Sequence, residues 1–376
     1  MRLALVSRRY PPLIGGAEKV LSYLAPALAA EGAAVTVLTA RAPGLPPSET
    51  VPVPNGSLRV ERLETSPVRF VGTWLYMRQL HGWFARNPVD LAYVSMLKHD
   101  AFVAVAAGRR LRFPVVLRPE GAGATGDLAW QGWGRFGRTI GRRCREADAI
   151  VSISRAITDE LLVAGYDPNR IHELPNGVPI PEAAWTPRAD WAEAPRAAYV
   201  GRLAPEKGLD TLVDAWPAVL ARYPLAVLTL VGEGPERPNL EAQVARLGLG
   251  VSVRMPGSSD DPGAILRESD LFVLPSREEG MSIALLEAMA LAIPLVATSI
   301  PGNLRLIPDI ERGRLVEPDA PGALAGAILE QWAGYDAAIE MGKAARRHVS
   351  DAYSIAAVAR RHLELFRSLA RRKVAS

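Results

Sequence analysis

Residues 270–298 read DLFVLPSREEGMSIALLEAMALAIPLVAT, and this stretch decides the fold. The apolar run at residues 271–274 predicts a buried strand, and the loop after it leads into a helix that begins near Ile283. A second short apolar run at residues 295–297 predicts the next strand. A strand, a helix and a strand in this order typically form a parallel pair with a helical crossover, so the stretch predicts a parallel sheet covered by helices.

The same alternation of strand and helix patterns extends over the rest of the chain. It opens with predicted strands at residues 2–7 and 34–39 on either side of a helix at about 17–31. A second series begins near Arg196, with predicted strands at residues 197–200, 226–231, 251–255, 271–274 and 295–297. Residues 179–195, between the two series, contain four prolines and two tryptophans, a composition that fits a linker.

We therefore predict an α/β protein with two tandem, doubly wound, Rossmann-like domains that face a central cleft. The first domain is expected to span residues 1–178 and the second 196–350, joined by a linker at 179–195. Residues 351–376 are expected to form a terminal helix.

Composition excludes several classes of protein. With 376 residues, 49% of them hydrophobic and 22% charged, the chain is not predominantly disordered. The single cysteine, Cys144, excludes a disulfide framework and a multi-cysteine metal site. The N-terminal apolar run at residues 3–6 is too short for a signal peptide, and no run reaches the roughly 18 apolar residues of a membrane helix. We therefore expect a cytoplasmic protein.

The two halves of the chain differ in charge. Residues 1–175 contain 22 Lys and Arg against 15 Asp and Glu, whereas residues 176–376 contain 22 against 25. This difference suggests that the two predicted domains meet different partners.

Two familiar nucleotide-binding signatures do not fit. Gly232-Glu233-Gly234 follows a predicted strand, but Arg237 stands where a dinucleotide fingerprint has its third glycine. The segment 201–208, GRLAPEKG, lacks the spacing and the Ser or Thr of a P-loop.

Several residues nevertheless suit a phosphorylated ligand. Arg202 and Lys207 follow a predicted strand and are placed to clamp a diphosphate, although surface loops also carry such residues for solubility. Gly15 and Gly16 precede a predicted helix, where backbone N–H groups attract anions; a plain tight turn is the alternative.

The segment around residues 279–287 suits a sugar nucleotide. The amides of Gly280, Met281 and Ser282 lie at a predicted helix N-terminus, which favours an anionic phosphate. Glu279 lies at the tip of the same turn, where a carboxylate binds sugar hydroxyls, and Glu287 is placed to reach a second polyol such as a ribose. The alternative is that both glutamates merely interact with the helix dipole.

Taken together, these motifs resemble the retaining glycosyltransferases of family 4, which have the GT-B architecture. The motifs occur in order from residue 10 to about 320: PPLIGGAEKV, ELPNGV, YVGRLAPEKGLD, LVGEGP and PSREEGMSIALLEAMALAIPLVAT. In that family the second domain binds a nucleotide-sugar donor, the first binds the acceptor, and the terminal helix returns to the first domain.

The resemblance implies a role for each matching residue. Arg202 and Lys207 neutralise the donor diphosphate, Glu279 contacts the donor sugar and Glu287 binds the ribose. The amides of residues 280–282 surround the sugar and phosphates. Gly15 and Gly16 approach the donor phosphates or the acceptor. Asn176 and Gly177 mark the border between the domains.

One position departs from the family. Many members carry a histidine just before a glycine after the strand that matches residues 115–117, and this chain has Glu120 before Gly121. A carboxylate accepts a hydroxyl proton but cannot donate one when ionised, so Glu120 is a candidate catalytic residue with a changed role. His99 is the other candidate nearby, with an ordinary surface histidine as the alternative.

The expected function is therefore transfer of a sugar, with retention of configuration, from a UDP-, GDP- or ADP-sugar to an acceptor hydroxyl. The acceptor is expected to be a saccharide or a lipid-linked saccharide of a cell envelope or polysaccharide. Because fixed cations and helix amides can stabilise the departing diphosphate, we expect neither a metal ion nor another cofactor. The alternatives are a nucleotide-sugar epimerase of the same architecture and a non-catalytic glycosyltransferase-like partner.

A basic and aromatic segment raises a further expectation for the first domain. Arg135, Arg138, Arg142 and Arg145 recur at helical spacing, and a second face carries Trp130, Trp133, Phe136 and Ile140. This pattern predicts an amphipathic helix that contacts an anionic membrane surface, with core aromatics behind a solvated arginine face as the alternative. Motifs typical of nucleic-acid binding are not found in the sequence.

Overall fold

The computed structural model describes residues 1–12, 16–123, 126–259 and 261–375, which divide into two compact units. Unit 1 comprises Met1–Gly177 and Ile355–Ser376, and unit 2 comprises Val178–Ser354. Among the described residues, no helix has both the length and the apolar character needed to cross a bilayer.

Unit 1 is built on a mixed, mostly parallel sheet. Its strands are β1 (Arg2–Val6), β2 (Ala34–Ala40), β3 (Ser48–Val51), β4 (Ser57–Leu63), β5 (Leu91–Ser95), β6 (Val115–Arg118), β7 (Ala149–Ser152) and β8 (Ile171–Glu173). They lie in the order β3-β4-β2-β1-β5-β6-β7-β8, and neighbouring strands are parallel except for the antiparallel pair β3 and β4. The edge strand β3 lies within a Pro- and Gly-rich stretch from which no strand is predicted.

Helices cover both faces of this sheet. They are α1 (Gly16–Ala30), α2 (Arg69–Arg86), α3 (His99–Leu111), α4 (Asp127–Trp133), α5 (Gly137–Cys144), α6 (Arg155–Val163) and the last helix of the chain, α14 (Ile355–Ala375). Leu3 and Leu5 of β1 join the buried cluster formed with α1 and α14, whereas Ala4 and Val6 join the cluster formed with α2, α3, α5 and α6. Successive strand residues point to opposite faces, so a strand that is apolar throughout requires helices on both sides.

Helix α14 is an integral part of unit 1. Phe366 is fully buried, and its ring centroid lies 5.5 Å from that of Tyr93 on β5. Leu363 and Leu369 lie in the same cluster as the apolar face of α1. The last 22 residues of the chain thus complete the core that the first strand begins.

Unit 2 contains a fully parallel sheet. Its strands are β9 (Arg196–Val200), β10 (Val227–Val231), β11 (Val253–Gly257), β12 (Leu271–Leu274), β13 (Leu295–Thr298) and β14 (Arg314–Val316), in the order β11-β10-β9-β12-β13-β14. Its helices are α7 (Leu209–Arg222), α8 (Arg237–Arg246), α9 (Pro262–Arg267), α10 (Ile283–Leu291), α11 (Pro301–Leu304), α12 (Pro321–Ala333) and α13 (Tyr335–Ala352). The chain proceeds outward from β9 in one direction and then returns to add β12 on its other side.

Residues 179–195, for which a linker is expected, pack into unit 2 instead. Trp185 is buried; its main-chain N–H donates to Leu291 O and its indole N–H to Ser269 O, both at 2.7 Å. Trp191 stacks on Tyr335 with ring centroids 3.8 Å apart. Two tryptophans are too apolar for a free linker, and their burial fixes the segment.

The predicted single amphipathic helix around residues 130–145 is wrong. Helix α4 ends at Trp133, α5 begins at Gly137, and Phe136 between them has a left-handed backbone with φ 63°. Phe136 is exposed whereas Ile140 is buried, so the apolar residues do not share one face.

We predict that Phe366→Ala destabilises unit 1 selectively, by about 3–5 kcal/mol, because it leaves a cavity beside β5. Hydrogen exchange should quicken at the amides of β1 and β5 and stay unchanged at β9 and β12. Arg367→Ala, at an exposed position of the same helix, is the control and should change neither. Unchanged exchange in β1 and β5 for the Phe366 variant would contradict the placement of α14.

Candidate active site

The order of the strands in unit 2 marks one edge of the sheet as the place for a ligand. The chain leaves β9 toward β10 on one side and later adds β12 on the other, so the direction of winding reverses between β9 and β12. In open parallel sheets, ligands bind beyond the carboxyl ends of the strands at such a reversal. The loops that follow β9 and β12 carry Arg202, Lys207 and Glu279, the residues that the sequence singles out.

The loop after β9 is held by its own strand. Tyr199 Oη donates to Arg202 O at 2.9 Å, and burial keeps the pKa of Tyr199 well above its usual value, so the phenol stays protonated. Arg202 itself is exposed, which leaves its guanidinium at the surface. A single turn of 3₁₀-helix, Pro205–Lys207, then leads to Gly208 and α7.

Gly208 allows the loops after β9 and β12 to touch. Its backbone is left-handed, with φ 61°, and a Cβ atom on it would lie 2.2 Å from Pro275 O. Only glycine satisfies both conditions without displacing one of the loops. The close approach brings the 3₁₀ turn that ends in Lys207 against the segment that carries Glu279.

Lys207 and Glu279 are brought together although 72 positions separate them in the sequence. Lys207 Nζ donates to Glu279 Oε1 at 2.8 Å, and Ser276 Oγ donates to the same oxygen at 2.8 Å. The side chains of Lys207 and Glu279 are only 19% and 10% exposed. Two donors therefore fix the carboxylate of Glu279. The ammonium of Lys207 uses one of its three N–H groups for this bond, and the bond fixes the position of the ammonium.

The N-terminus of α10 completes this edge of unit 2. Ser282 caps the helix, with its Oγ accepting from Leu285 N at 3.3 Å. Gly280 and Met281 precede the cap and Glu287 lies on the second turn, half-buried. The first turn of a nine-residue helix carries a partial positive charge and N–H groups suited to an anion.

Arg277 links the loops of the candidate site, and the sequence does not single it out. Its Nη2 donates to Asp210 Oδ2 at 2.8 Å and its Nε donates to Asp319 Oδ1 at 2.6 Å. Its main-chain N–H donates to Glu206 O at 2.8 Å, next to Lys207. The hydrogen bond with Asp210 is the main cause of a raised pKa for Arg277. In the sequence, the only indication of a role for Arg277 is its position two residues before Glu279.

In unit 1, the carboxyl ends of β5 and β6 hold Glu120 in place. Arg118 Nη1 and Ser95 Oγ both donate to Glu120 Oε1, and Glu120 N donates to Asp127 Oδ2 at 2.8 Å. Arg118 is 2% exposed, and its Nη2 donates to Asn176 Oδ1 at 2.5 Å. Buried Arg118 and the hydroxyl of Ser95 fix one oxygen of Glu120 in place, so this side chain is held where it can accept a hydrogen bond from a ligand.

His99 does not take part in that cluster of hydrogen bonds. It is the first residue of α3, half-buried, and its ring meets Trp130 edge-on with centroids 5.5 Å apart. Burial lowers the pKa of His99, and the positive charges of Arg8 and Lys98 lower it further. The lowered pKa makes the neutral imidazole of His99 still more favoured at pH 7 than that of an ordinary exposed histidine.

Gly15 and Gly16 are also expected to approach the donor or the acceptor. Gly15 lies outside the described residues, and Gly16 is the first residue of α1. Within the described ranges, no group of three or more His, Cys, Asp or Glu side chains is arranged to hold a metal ion.

Both units match known glycosyltransferase families. The family described as Glycosyltransferase Family 4 matches residues 14–181, and the family described as Glycosyl transferases group 1 matches residues 194–333. The two matches together span most of the chain and follow its division into units.

Individual relatives agree with these matches. A glycogen synthase of Mycobacterium tuberculosis is 29% identical over 392 aligned residues, covering 96% of this chain and 92% of the relative. A phosphatidyl-myo-inositol mannosyltransferase of the same organism is 34% identical over 164 residues, covering 42% of this chain and 43% of the relative.

Solved structures share the fold. Sucrose-phosphate synthase from Thermosynechococcus elongatus aligns with a TM-score of 0.78 and 24% identity, covering 98% of each chain. Anabaena HepE, solved with UDP and glucose, aligns with a TM-score of 0.78 and 20% identity, covering 97% of this chain and 99% of the other. With the paired family matches and this shared architecture, the chain belongs to the family 4 glycosyltransferases and has the GT-B fold.

Proposed function

We propose that this protein transfers a sugar from a nucleotide-diphosphate sugar to an acceptor hydroxyl, with retention of configuration and without a metal ion. The observation that carries the proposal is the 2.8 Å pairing of Lys207 Nζ with Glu279 Oε1 beside the N-terminus of α10. This arrangement supplies positive charge and a sugar-binding carboxylate at the same edge of one sheet.

The diphosphate is the part of the donor that these residues suit best. Transfer breaks the bond between the anomeric carbon and a phosphate oxygen, and the departing nucleoside diphosphate takes the electron pair. Arg202 and Lys207 are the cations assigned to this charge, with the amides of residues 280–282 at the start of α10. Preorganised donors of this kind stabilise developing charge without rearranging during the reaction.

The carboxylates of unit 2 are assigned to the polyol parts of the donor. Glu279 is fixed by Lys207 and Ser276, and its second oxygen is assigned to a sugar hydroxyl. Glu287, on the next turn of α10, is assigned to the ribose hydroxyls. Both assignments follow from the likeness to family 4 and from the position of the two residues on one loop and helix.

The donor class is supported by what relatives are named for. HepE has been solved with UDP-glucose, and a mannosyltransferase of Mycobacterium tuberculosis that is 28% identical over 58% of this chain is named as GDP-mannose-dependent. A thermal-shift screen with UDP-, GDP- and ADP-sugars identifies the base, because a ligand that binds only the folded state raises the melting temperature.

The acceptor is proposed to be a hydroxyl of a saccharide or of a lipid-linked saccharide. One relative is named a glycogen synthase and others are named for phosphatidylinositol-based acceptors. As the acceptor oxygen forms its bond to the sugar, its proton passes to the departing phosphate oxygen, which has taken the electron pair of the broken bond. Glu120 in unit 1, which pairs with Arg118, is assigned to accept a hydrogen bond from an acceptor or donor hydroxyl.

We predict that Lys207→Ala lowers kcat/KM for the donor by about a hundredfold or more, because the departing diphosphate loses a fixed cation. Steady-state kinetics with the donor found by the thermal-shift screen measure the effect, and circular dichroism checks the fold. Lys343→Ala is the matched control, because Lys343 pairs with Glu340 on the exposed face of α13. Wild-type kinetics in the Lys207 variant would refute the assignment.

Transfer is predicted to continue in excess chelator. The reason is that the cations assigned to the diphosphate are side chains of the protein itself. Initial rates are compared with EDTA, with EDTA followed by excess Mg²⁺ or Mn²⁺, and without additions. Activity that is lost in EDTA and returns with either metal would show that the reaction depends on a metal ion.

Glu120→Gln is predicted to reduce transfer while donor binding is preserved. The amide keeps the shape of the side chain but removes the negative charge beside buried Arg118, so some loss of stability accompanies the change. Acceptor kinetics should deteriorate at least tenfold, whereas the thermal shift produced by the donor should match that of the wild type. Equal transfer rates in both proteins would exclude a role for the carboxylate.

Incubation with the donor alone tests the alternative that the protein is a nucleotide-sugar epimerase. A transferase leaves the sugar of the donor unchanged in configuration, apart from slow hydrolysis. Conversion of the sugar to an epimer without acceptor would contradict the proposed function.

A further inference from the structure

One surface of unit 1 combines exposed aromatic side chains with arginines, and we define it as the aromatic–arginine patch. Its members come from the first turns of α2 and from the corner between α4 and α5. They are Phe70, Trp74 and Arg78 on α2, and Trp133, Arg135 and Phe136 at the corner.

The rings of the patch project into solvent. Phe70 and Trp74 are each 58% exposed, Trp133 is 74% exposed and Phe136 is 64% exposed. Large apolar side chains that are grouped in this way on a protein surface mark an interaction site far more often than isolated ones do.

The orientation of the patch is fixed by packing behind it. On α2, Tyr76 and Leu80 are fully buried, so the face that carries Phe70 and Trp74 must point outward. At the corner, the left-handed backbone of Phe136 interrupts the helices, so its ring turns out of the face that Ile140 buries.

Arg135 joins the two parts of the patch. Its guanidinium carbon lies 4.4 Å from the ring centroid of Phe70 and 5.2 Å from that of Phe136. Arg78 is placed in a similar way, 5.4 Å from the ring centroid of Trp74. Each contact lies within the range of a cation–π interaction, so the arginines and rings form one continuous surface.

The segments that build the patch are rich in arginine, and the one acidic residue of α4, Asp127, is buried. Residues 65–89 include three arginines and residues 128–145 include five, and neither stretch has an Asp or Glu. Over the whole chain the two signs are nearly balanced, with 44 Lys and Arg against 40 Asp and Glu. The patch is therefore complementary to an anionic partner.

We propose that the aromatic–arginine patch binds the surface of an anionic lipid bilayer. Tryptophan and phenylalanine rings favour the boundary between headgroups and acyl chains, and arginines pair with lipid phosphates beside them. Rings that are each more than half exposed project from the surface, so a protein partner would need several matched pockets to bury them. A bilayer receives projecting rings without such pockets.

The proposal does not depend on the proposed function, because vesicle binding is measured without donor or acceptor. The full chain is sedimented with phosphatidylcholine vesicles that either contain or lack phosphatidylglycerol. Binding is expected only to the anionic vesicles and should be lost in 1 M salt, where charges are screened beyond about 3 Å. Binding to both kinds of vesicle alike, or to neither, would overturn the proposal, and binding to neither would leave an acidic protein as the occupant.

The charge of the patch is tested by the combined substitutions Arg78→Gln and Arg135→Gln, together with Arg138→Gln at the exposed position next to the patch on α5. They are expected to lower the partition coefficient for anionic vesicles about a hundredfold, since each arginine near the surface contributes a several-fold factor. The matched control replaces three exposed arginines of unit 2 by glutamine, namely Arg222, Arg246 and Arg347. Equal losses in the two variants would show that only net charge matters and would overturn the proposal.

The rings are tested separately by Trp133→Gln combined with Phe136→Asn, because asparagine tolerates the left-handed backbone at position 136. Vesicle binding is expected to fall at least tenfold, and quenching of tryptophan fluorescence by lipids brominated in the acyl chains should decrease. Val163→Gln is the control, because this valine of unit 1 is 91% exposed and lies outside the patch. Unchanged binding and quenching in the ring variant would contradict insertion of the patch.

Discussion

The ion pair between Lys207 and Glu279 joins the loops that follow β9 and β12, and the candidate site of unit 2 is organised around it. It forms because β9 and β12 are parallel neighbours, with Leu271 opposite Ala197, so their carboxyl ends meet at the same edge of the sheet. Both side chains are mostly buried, which makes the pair sensitive to the loss of either partner: an uncompensated charge would remain away from water. The pair therefore couples the charge that suits a diphosphate to the carboxylate that suits a sugar. A change in the loop after β9 or in the loop after β12 therefore displaces both Lys207 and Glu279.

Close backbone packing keeps that edge rigid. The motif Gly232-Glu233-Gly234, which does not fit a dinucleotide fingerprint, serves this packing: a Cβ atom on Gly234 would lie 2.1 Å from Leu203 O. The turn after β10 is thereby pressed against the loop that carries Arg202, and Leu203 N donates to Glu233 O at 2.9 Å. Cations that stabilise a departing group are most effective when they do not have to be brought into place during the reaction. Rigid loops at three strand ends are thus a requirement of the proposed chemistry rather than a by-product of the fold.

Much of this arrangement is predictable from sequence, because it depends on local patterns. The apolar runs of β9 and β12 and the start of α10 are encoded within a few residues each, and the family resemblance singles out Lys207 and Glu279. Arg277 could not be found in that way, since its partners Asp210 and Asp319 lie 67 and 42 positions away. Helical spacing also predicted one amphipathic helix around residues 130–145. That prediction is wrong because a single left-handed residue, Phe136, redirects the chain. Composition alone predicted a linker at 179–195, whereas the burial of Trp185 depends on helices far along the chain.

The placement of α14 has a consequence for the order in which the protein is made. Unit 2 is one continuous stretch, Val178–Ser354, whereas unit 1 needs Ile355–Ser376 to cover one face of its sheet. Domains generally fold as units during synthesis, so unit 2 has all of its residues while the ribosome still holds the end of the chain. The first half of the protein must wait, with the surface that α14 covers still open, until residues 355–376 emerge. A premature stop before residue 355 would therefore damage the part of the protein that was synthesised first.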